Sequence, residues 1–170
     1  MKMALSEDFL RTHMERCIDI AIRTGNTIAK PHVGALIVNR KGRIIADGGR
    51  RYVDKNLGIL VHAERDAINN STEDPRGAIL FTTLEPCIVQ WVGRHSHRRS
   101  IFKPCAELIA ENCIGMVVYG LGDINSPSHE GLSYLTNRGV TVIHYDALTE
   151  KIIDRLMSYR VREFYDVSDK

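Results

Sequence analysis

Apolar residues recur at helical spacing near both ends of the chain. Residues 7–24 place apolar side chains on one face, with Ser6 as a candidate N-cap and Gly25 as a stop. Residues 148–165 show a second apolar face, which predicts an amphipathic helix that packs on a sheet or on a partner. A shorter helix is predicted around residues 132–137.

Between these helical stretches, short runs rich in Val, Ile and Leu alternate with further helix starts. The first two runs flank a polar turn at residues 40–43, so they predict a β-hairpin. Helices are predicted to begin at Ala63 and Pro104. This interleaving favours a layered α/β domain with a mixed sheet. The predicted strands are residues 33–39, 44–48, 79–84, 116–119 and 140–144.

The size and charge of the chain narrow the functional classes. A length of 170 residues predicts a single domain over residues 1–170, and a formal net charge of +2 does not require a polyanionic partner. The four cysteines do not follow a secreted disulfide pattern, and no leader or membrane-spanning apolar run is apparent. The sequence therefore predicts a cytoplasmic protein with no membrane contact, whose thiols are reduced and free to bind metal.

Three short motifs carry the candidate chemistry: His62-Ala63-Glu64, Pro86-Cys87 and Pro104-Cys105. One imidazole and two thiolates supply three ligands of a catalytic zinc site and leave a fourth position for water. Glu64 lies two residues after His62, where a carboxylate can move a proton without binding the metal. The place of Cys105 at a helix start predicts that its thiolate form is favoured. The alternative is a chance His–Glu pair with core cysteines, but the association of the motifs with a strand and two helix starts favours zinc.

The order H-x-E, then P-C, then a further Cys resembles the signature of zinc deaminases that act on bases. The chain is similar to the cytidine deaminase superfamily over most of its length, and especially to the pyrimidine deaminase branch of riboflavin biosynthesis. This resemblance implies a three-layer α/β/α fold with a five-stranded mixed sheet, usually in a homo-oligomer. It implies a hydrolase that exchanges an amino group of a base, nucleoside or nucleotide for a carbonyl, with Zn2+ on His62, Cys87 and Cys105 and with Glu64 as the catalytic residue. The segments that carry the resemblance are residues 33–38, 62–64, 83–87, 105–109 and 116–120.

An insertion at residues 88–104 separates the two cysteine ligands and has basic but no acidic side chains. Because both of its ends are tied to metal ligands, we expect it to lie over the mouth of the site. Its cations suit a substrate phosphate, and Trp91 or Phe102 can stack on a base. The alternatives are a solvated basic loop and a contact with a neighbouring subunit. The basic candidates are Arg94, Arg98, Arg99 and Lys103.

Other candidate substrate-binding residues lie before the His62 motif. The resemblance places Arg50 and Arg51 where relatives contact the base or ribose, and Lys30 where the riboflavin branch has Asn before Pro. His32 is a candidate for the pocket lining, although an exposed position is an equal alternative. Two further cysteines, Cys17 and Cys113, are expected in the core, and a ligand role for His95 or His97 is a minor alternative.

Three functions fit these features. The first is a deaminase of a small base, nucleoside or nucleotide, with phosphorylated substrates favoured by the basic insertion. The second is a nucleic-acid deaminase of the transfer-RNA adenosine or cytidine type, which the modest charge disfavours, so nucleic acid is not the expected partner. The third is a non-catalytic, zinc-stabilised binding module, which would not need a carboxylate at Glu64.

Overall fold

The computed structural model describes residues 5–24, 31–56, 59–88, 102–124, 126 and 128–157. Its helices are α1 (Glu7–Thr24), α2 (Ala63–Asn69), α3 (Cys105–Glu111), α4 (Glu130–Asn137) and α5 (Thr149–Leu156), with a 3-10 turn at Asp146–Leu148 before α5. Its strands are β1 (Gly34–Val38), β2 (Ile44–Gly49), β3 (Arg51–Asp54), β4 (Ile59–Val61), β5 (Ile79–Leu84), β6 (Met116–Leu121) and β7 (Thr141–His144).

Five of the strands form one mixed sheet in the order β2-β1-β5-β6-β7. Strand β1 is antiparallel to both β2 and β5, whereas β5, β6 and β7 run parallel to one another. The predicted hairpin and the predicted five-stranded mixed sheet are therefore confirmed. The carboxyl ends of β5 and β6 lie at the same edge, which is where parallel sheets hold ligands.

Helices cover both faces of this sheet. Alternate residues of β1 point to opposite faces, so Leu36 and Val38 pack with α1 and α5, while Ala35 and Ile37 pack with α2, α3 and α4. The first layer is called the α1–α5 face and the second the α2–α4 face. Each face buries its own apolar cluster, which is the three-layer arrangement that the resemblance implied.

Glycine allows α2 to lie close to the sheet. A Cβ atom at Gly48 in β2 would collide with the backbone nitrogen of Ala67 in α2. The absence of a side chain at Gly48 therefore lets α2, which follows His62, pack directly on β2. Asp66 fixes the same contact, because its Oδ2 accepts a hydrogen bond of 3.1 Å from the Gly49 N–H.

The first helix begins as the sequence predicted. Ser6 caps it, since its Oγ accepts a 3.1 Å hydrogen bond from the Phe9 N–H. Gly25, the predicted stop, lies outside the described residues. Helix α3 begins at Cys105, one position after the predicted start, and Pro104 is its N-cap.

Two expectations need correction, and one element was not predicted. Helix α5 ends at Leu156, because Met157 has an extended backbone (φ −95°, ψ 157°), so the helix predicted over 148–165 does not continue unbroken; residues 158–165 lie outside the described part. Cys113 is exposed and not in the core, because α3 ends at Glu111 and Cys113 falls in the following turn with φ 53°. The two-stranded ribbon of β3 and β4 was not predicted at all.

Among the helices described, none has the length and apolar character that crossing a bilayer requires.

Candidate active site

Three elements bring the predicted metal ligands together. His62 is the N-cap of α2, Cys105 is the first residue of α3, and Cys87 follows the carboxyl end of β5. The backbone joins the two cysteines directly, because the Cys105 N–H donates to Cys87 Sγ at 3.4 Å and the Ala106 N–H donates to the Cys87 carbonyl at 3.0 Å. The turn after β5 and the start of α3 therefore form one unit.

The donor atoms have the spacing of a tetrahedral metal site. His62 Nδ1 lies 3.5 Å from Cys87 Sγ and 3.6 Å from Cys105 Sγ, and all three donor atoms lie within 4.8 Å of one another. Ideal tetrahedral zinc bonds place a nitrogen ligand about 3.6 Å from a sulfur ligand. The residues present thus fit zinc, and they form the one such group found in the described part of the chain.

Hydrogen bonding between the two thiols moves their pKa values in opposite directions. A hydrogen bond from the Cys105 thiol lowers the pKa of Cys87 to about 4, with a further contribution from His62. The same bond to Cys87, together with burial, raises the pKa of Cys105 well above its usual value. Between the two thiols the negative charge therefore lies on Cys87. That the helix start favours the Cys105 thiolate for zinc binding stays a prediction.

The pKa of the His62 imidazole also depends on these neighbouring charges. Burial lowers the pKa of His62, but its hydrogen bond with Cys87 and the charges of Cys87 and Glu64 outweigh burial, so the net pKa is raised. Zinc binding needs a neutral imidazole and two thiolates, so metal and protons compete for the same three atoms.

Glu64 lies in the first turn of α2 and is only 3% exposed. Burial raises the pKa of its carboxyl to about 7, against the opposing positive charge of His62. A hydrogen bond with Cys105 places this carboxyl at the metal site. A buried acid whose pKa is close to neutral can both accept and donate a proton under physiological conditions.

The two predicted arginines have different surroundings. Arg50 Nη1 donates a 2.7 Å hydrogen bond to the Pro31 carbonyl, and its positive charge lowers the pKa of His62, so it lies within electrostatic range of the metal site. Arg51 instead forms an ion pair with Asp66, with 2.7 Å between Nη2 and Oδ1. Arg51 therefore fastens α2 to the start of β3.

The structure describes only some of the remaining candidate substrate-binding residues. His32 is half-buried, and its backbone N–H donates to the Leu156 carbonyl at 2.9 Å. Phe102 and Lys103, at the end of the insertion, are described. The other candidates lie outside the described residues: Lys30, Trp91, Arg94, His95, His97, Arg98 and Arg99.

Arg65 and the pair Glu85 and His129 also border the site, although sequence reasoning did not single them out. Arg65 Nη2 donates to the Lys103 carbonyl at 2.5 Å, and its guanidinium carbon lies 5.0 Å from the centre of the Phe102 ring. This contact anchors the end of the insertion immediately before Cys105. The only sequence signal for Arg65 was its place next to Glu64 in the H-x-E motif.

Comparison with known proteins identifies a matching family and related sequences. The family model for the zinc-binding region of cytidine and deoxycytidylate deaminases matches residues 8–121. The riboflavin biosynthesis protein RibD of Actinobacillus pleuropneumoniae is 36% identical over 133 residues, which are 77% of this chain and 31% of that protein. A diaminohydroxyphosphoribosylamino-pyrimidine deaminase of Buchnera aphidicola is 30% identical over 134 residues, which are 78% of this chain and 81% of that protein.

Solved structures share the fold. A diaminohydroxyphosphoribosylaminopyrimidine deaminase/5-amino-6-(5-phosphoribosylamino)uracil reductase of Thermotoga maritima superposes with a TM-score of 0.71 at 33% identity, over 92% of this chain and 42% of that chain. The dCMP deaminase of cyanophage S-TIM5 has a TM-score of 0.61 at 20% identity, over 83% of this chain and all of that chain. The chain spans about a third of the length of the RibD protein of A. pleuropneumoniae. By its family match, its fold and its set of one imidazole and two thiols, the chain belongs to the family of zinc-binding cytidine and deoxycytidylate deaminases.

Proposed function

We propose that this protein is a zinc-dependent hydrolase that deaminates a pyrimidine nucleotide, replacing a ring amino group with a carbonyl and releasing ammonia. One observation carries the proposal: Glu64, a buried carboxyl with a pKa of about 7, lies against three atoms spaced for zinc. A purely structural zinc site needs four protein ligands, whereas the described group offers three. Among the described residues, an acid next to three ligands favours catalysis over the alternative of a binding module.

The residues have distinct roles in this reaction. His62, Cys87 and Cys105 would hold the metal, and bound zinc would supply a polarised water molecule as the nucleophile. A Glu64 carboxylate oxygen accepts a proton from the attacking water and delivers it to the ring nitrogen beside the amino-bearing carbon. Glu64 then passes the second proton of that water to the departing amine. The water oxygen becomes the new carbonyl oxygen, and the amine leaves as ammonia, so the atoms balance.

Burial explains why one carboxyl can act twice. In water a Glu carboxyl would stay ionised at neutral pH and would return a proton poorly. Burial raises the pKa of Glu64, so this carboxyl keeps a proton near neutral pH more readily than an exposed Glu does. The low exposure of Glu64 also limits the access of bulk water to the transferred proton.

We infer a phosphorylated diaminopyrimidine as the substrate class. The Buchnera relative, of which the chain covers 81%, is a deaminase of diaminohydroxyphosphoribosylamino-pyrimidine. The basic sequence of the 88–104 insertion supports an anionic substrate. Among the predicted binding residues, Arg50 is supported by its closeness to His62, whereas Arg51 is engaged by Asp66. Roles for Lys30, His32, Trp91 and Arg94 stay predictions.

The location, oligomeric state and domain organisation of the protein are also proposals. Two ligand cysteines must stay reduced to bind zinc, which supports the cytoplasm as the location. A homo-oligomer and a single domain over residues 1–170 stay predictions of the sequence and the resemblance.

The test is an assay of the zinc-loaded protein with diaminohydroxyphosphoribosylaminopyrimidine and with its dephosphorylated nucleoside. We expect ammonia release in equal amount to a product that has gained one dalton, with the phosphorylated compound preferred. The Glu64→Gln variant is the matched control, since it keeps the side-chain shape and removes the proton carrier. Fully zinc-loaded protein that turns over neither these compounds nor dCMP would overturn the proposal.

A further inference from the structure

Glu85 is a buried acid that the proposed chemistry does not use. It follows β5, two residues before the ligand Cys87, and its side chain is 1% exposed. Its Oε2 accepts hydrogen bonds from His129 Nδ1 at 2.6 Å and from the Asp123 N–H at 3.2 Å. Its Oε1 is buried and has no hydrogen-bond partner among the described residues. A half-satisfied buried carboxylate destabilises a fold, so its presence needs a reason.

The backbone conformation of His129 is also unfavourable. It immediately precedes α4 with φ 50° and ψ 42°, in the left-handed region that non-glycine residues rarely adopt. Cys113 is the other non-glycine residue with positive φ in the described part of the chain. Left-handed residues persist where neighbouring contacts hold them, and they concentrate at functional sites. The hydrogen bond to Glu85 is such a contact.

Both features lie at the edge of the sheet that carries the metal ligands. The Glu85 N–H donates to the Leu121 carbonyl at 2.8 Å, so the chain after β5 runs beside the chain after β6. A Cβ atom at Gly131 would collide with the Pro86 carbonyl, so the start of α4 also packs against the residue before Cys87. The connection from β6 to α4 is therefore attached to the Glu85-Pro86-Cys87 turn from both of its ends.

We propose that Glu85 and His129 are positioning residues that hold the backbone at Asp123 and the start of α4 as one wall of the substrate pocket beside Cys87. This inference rests on the proposed function and names where the pyrimidine nucleotide is contacted. Glu85 acts through the Asp123 N–H and the His129 ring, and it does not touch the reacting atoms. Loosening the wall weakens substrate binding and leaves proton transfer by Glu64 intact. KM therefore rises while kcat changes little.

The matched pair His129→Asn and His129→Asp isolates the hydrogen bond. Asn and Asp have nearly the same shape, and both tolerate left-handed backbone. Asn still donates to Glu85 Oε2, whereas Asp places a second carboxylate against it. Because the His129 side chain is 53% exposed, both variants should fold. The same two substitutions at Cys113, the other left-handed position, show what the change does away from the site.

Two measurements decide the matter. For turnover of diaminohydroxyphosphoribosylaminopyrimidine, we expect KM of His129→Asn within about threefold of the wild type and KM of His129→Asp at least about tenfold higher, the loss of one charge-assisted hydrogen bond. We expect kcat and zinc content to be the same in both. In substrate-free protein, we expect the Asp123 amide to exchange its hydrogen faster in His129→Asp than in His129→Asn. The two Cys113 variants should differ from each other in neither measurement.

The outcomes separate this inference from the proposed function. Wild-type protein without turnover would overturn the proposed function, and the exchange of the Asp123 amide would still test the positioning. Equal KM values in an active His129 pair, or equal exchange rates at Asp123, would overturn the positioning role.

Discussion

The two faces of the sheet each bury a cysteine completely, with different results. Cys17 lies on the α1–α5 face and Cys105 on the α2–α4 face, and both are 0% exposed and free of disulfide bonds. Burial raises the pKa of Cys17, which packs among apolar side chains. The pKa of Cys105 is raised first by its hydrogen bond to Cys87, and its sulfur lies 3.6 Å from an imidazole.

This comparison shows that burial alone does not assign a role to a cysteine. Within the described chain, Cys17 belongs to no group of three metal-ligand side chains, although the buried His13 lies one turn earlier in α1. The α2–α4 face joins two helix starts and a strand end at one point, so its buried thiol has ligand partners. We infer that the first face mainly supports stability and that the second carries the chemistry.

The largest contrast is expected between Cys105→Ser and Cys17→Ser. A serine hydroxyl is a poor zinc ligand, so Cys105→Ser should lose almost all bound zinc and all turnover. Cys17→Ser buries a hydroxyl in an apolar cluster, so it should lower the free energy of unfolding by about 1–3 kcal/mol and keep its zinc. Elemental analysis and urea unfolding give both quantities. Loss of zinc from Cys17→Ser in folded protein would contradict the division between the faces.

The next largest effect distinguishes zinc binding from proton transfer, both of which belong to the α2–α4 face. Glu64→Gln should keep full zinc content and lower kcat at least about a hundredfold, because a general acid–base group of this kind contributes that much. Turnover assays and elemental analysis of the same samples are the measurement. A Glu64→Gln protein with wild-type kcat would remove Glu64 from the mechanism.

Glu64 should also make the metal-free protein less stable as pH rises. Its pKa is raised from 4.5 to about 7 by folding, so the folded state binds its proton more tightly than the unfolded state. The contribution of Glu64 to stability is therefore largest below pH 4.5 and falls as pH rises toward 7, by about 3 kcal/mol in total. The lowered pKa of Cys87 acts in the opposite direction in wild type and variant alike. Urea unfolding of chelator-treated protein at pH 5 and pH 8 should therefore show a change in stability that is less favourable at high pH in the wild type than in Glu64→Gln. The same change in both proteins would show that Glu64 is not protonated by burial.

The smallest effect concerns the contact at the end of the insertion. Arg65→Met removes the hydrogen bond to the Lys103 carbonyl and the positive charge that lowers the pKa of Cys105. We expect zinc to bind about three- to tenfold more weakly, since one hydrogen bond and a nearby charge are lost. Arg76→Met is the control, because Arg76 is exposed and pairs with Asp74 away from the site. Equal zinc affinity in both variants would show that Arg65 does not support the centre.

Local sequence predicted the elements that carry strong periodic patterns. The apolar face of α1, the β1–β2 hairpin and the starts of α2 and α3 all have signals within a few neighbouring residues. The ribbon of β3 and β4 has none, because β3 is half-exposed and contains two charged residues, and β4 is only three residues long. The apolar pattern after Leu148 continues beyond Leu156, so it could not show that the backbone extends at Met157.

The ligand set was predictable because residue type and order carry it, whereas its electrostatics depend on distance. The transfer of negative charge to Cys87 follows from the contact of two sulfurs that are eighteen positions apart in sequence. The contacts of Arg65 with Lys103 and of Glu85 with His129 join positions 38 and 44 residues apart. No local pattern reports such pairs.

The direct hydrogen bonds between the Cys87 turn and the start of α3 have an evolutionary consequence. Because two backbone N–H groups at the start of α3 donate to Cys87, the geometry of the ligand pair does not depend on the number of residues between the two cysteines. Doubling the length of such a stretch costs only about 0.6 kcal/mol of closure entropy. Relatives with a different number of residues between these cysteines are therefore expected to keep the same metal centre.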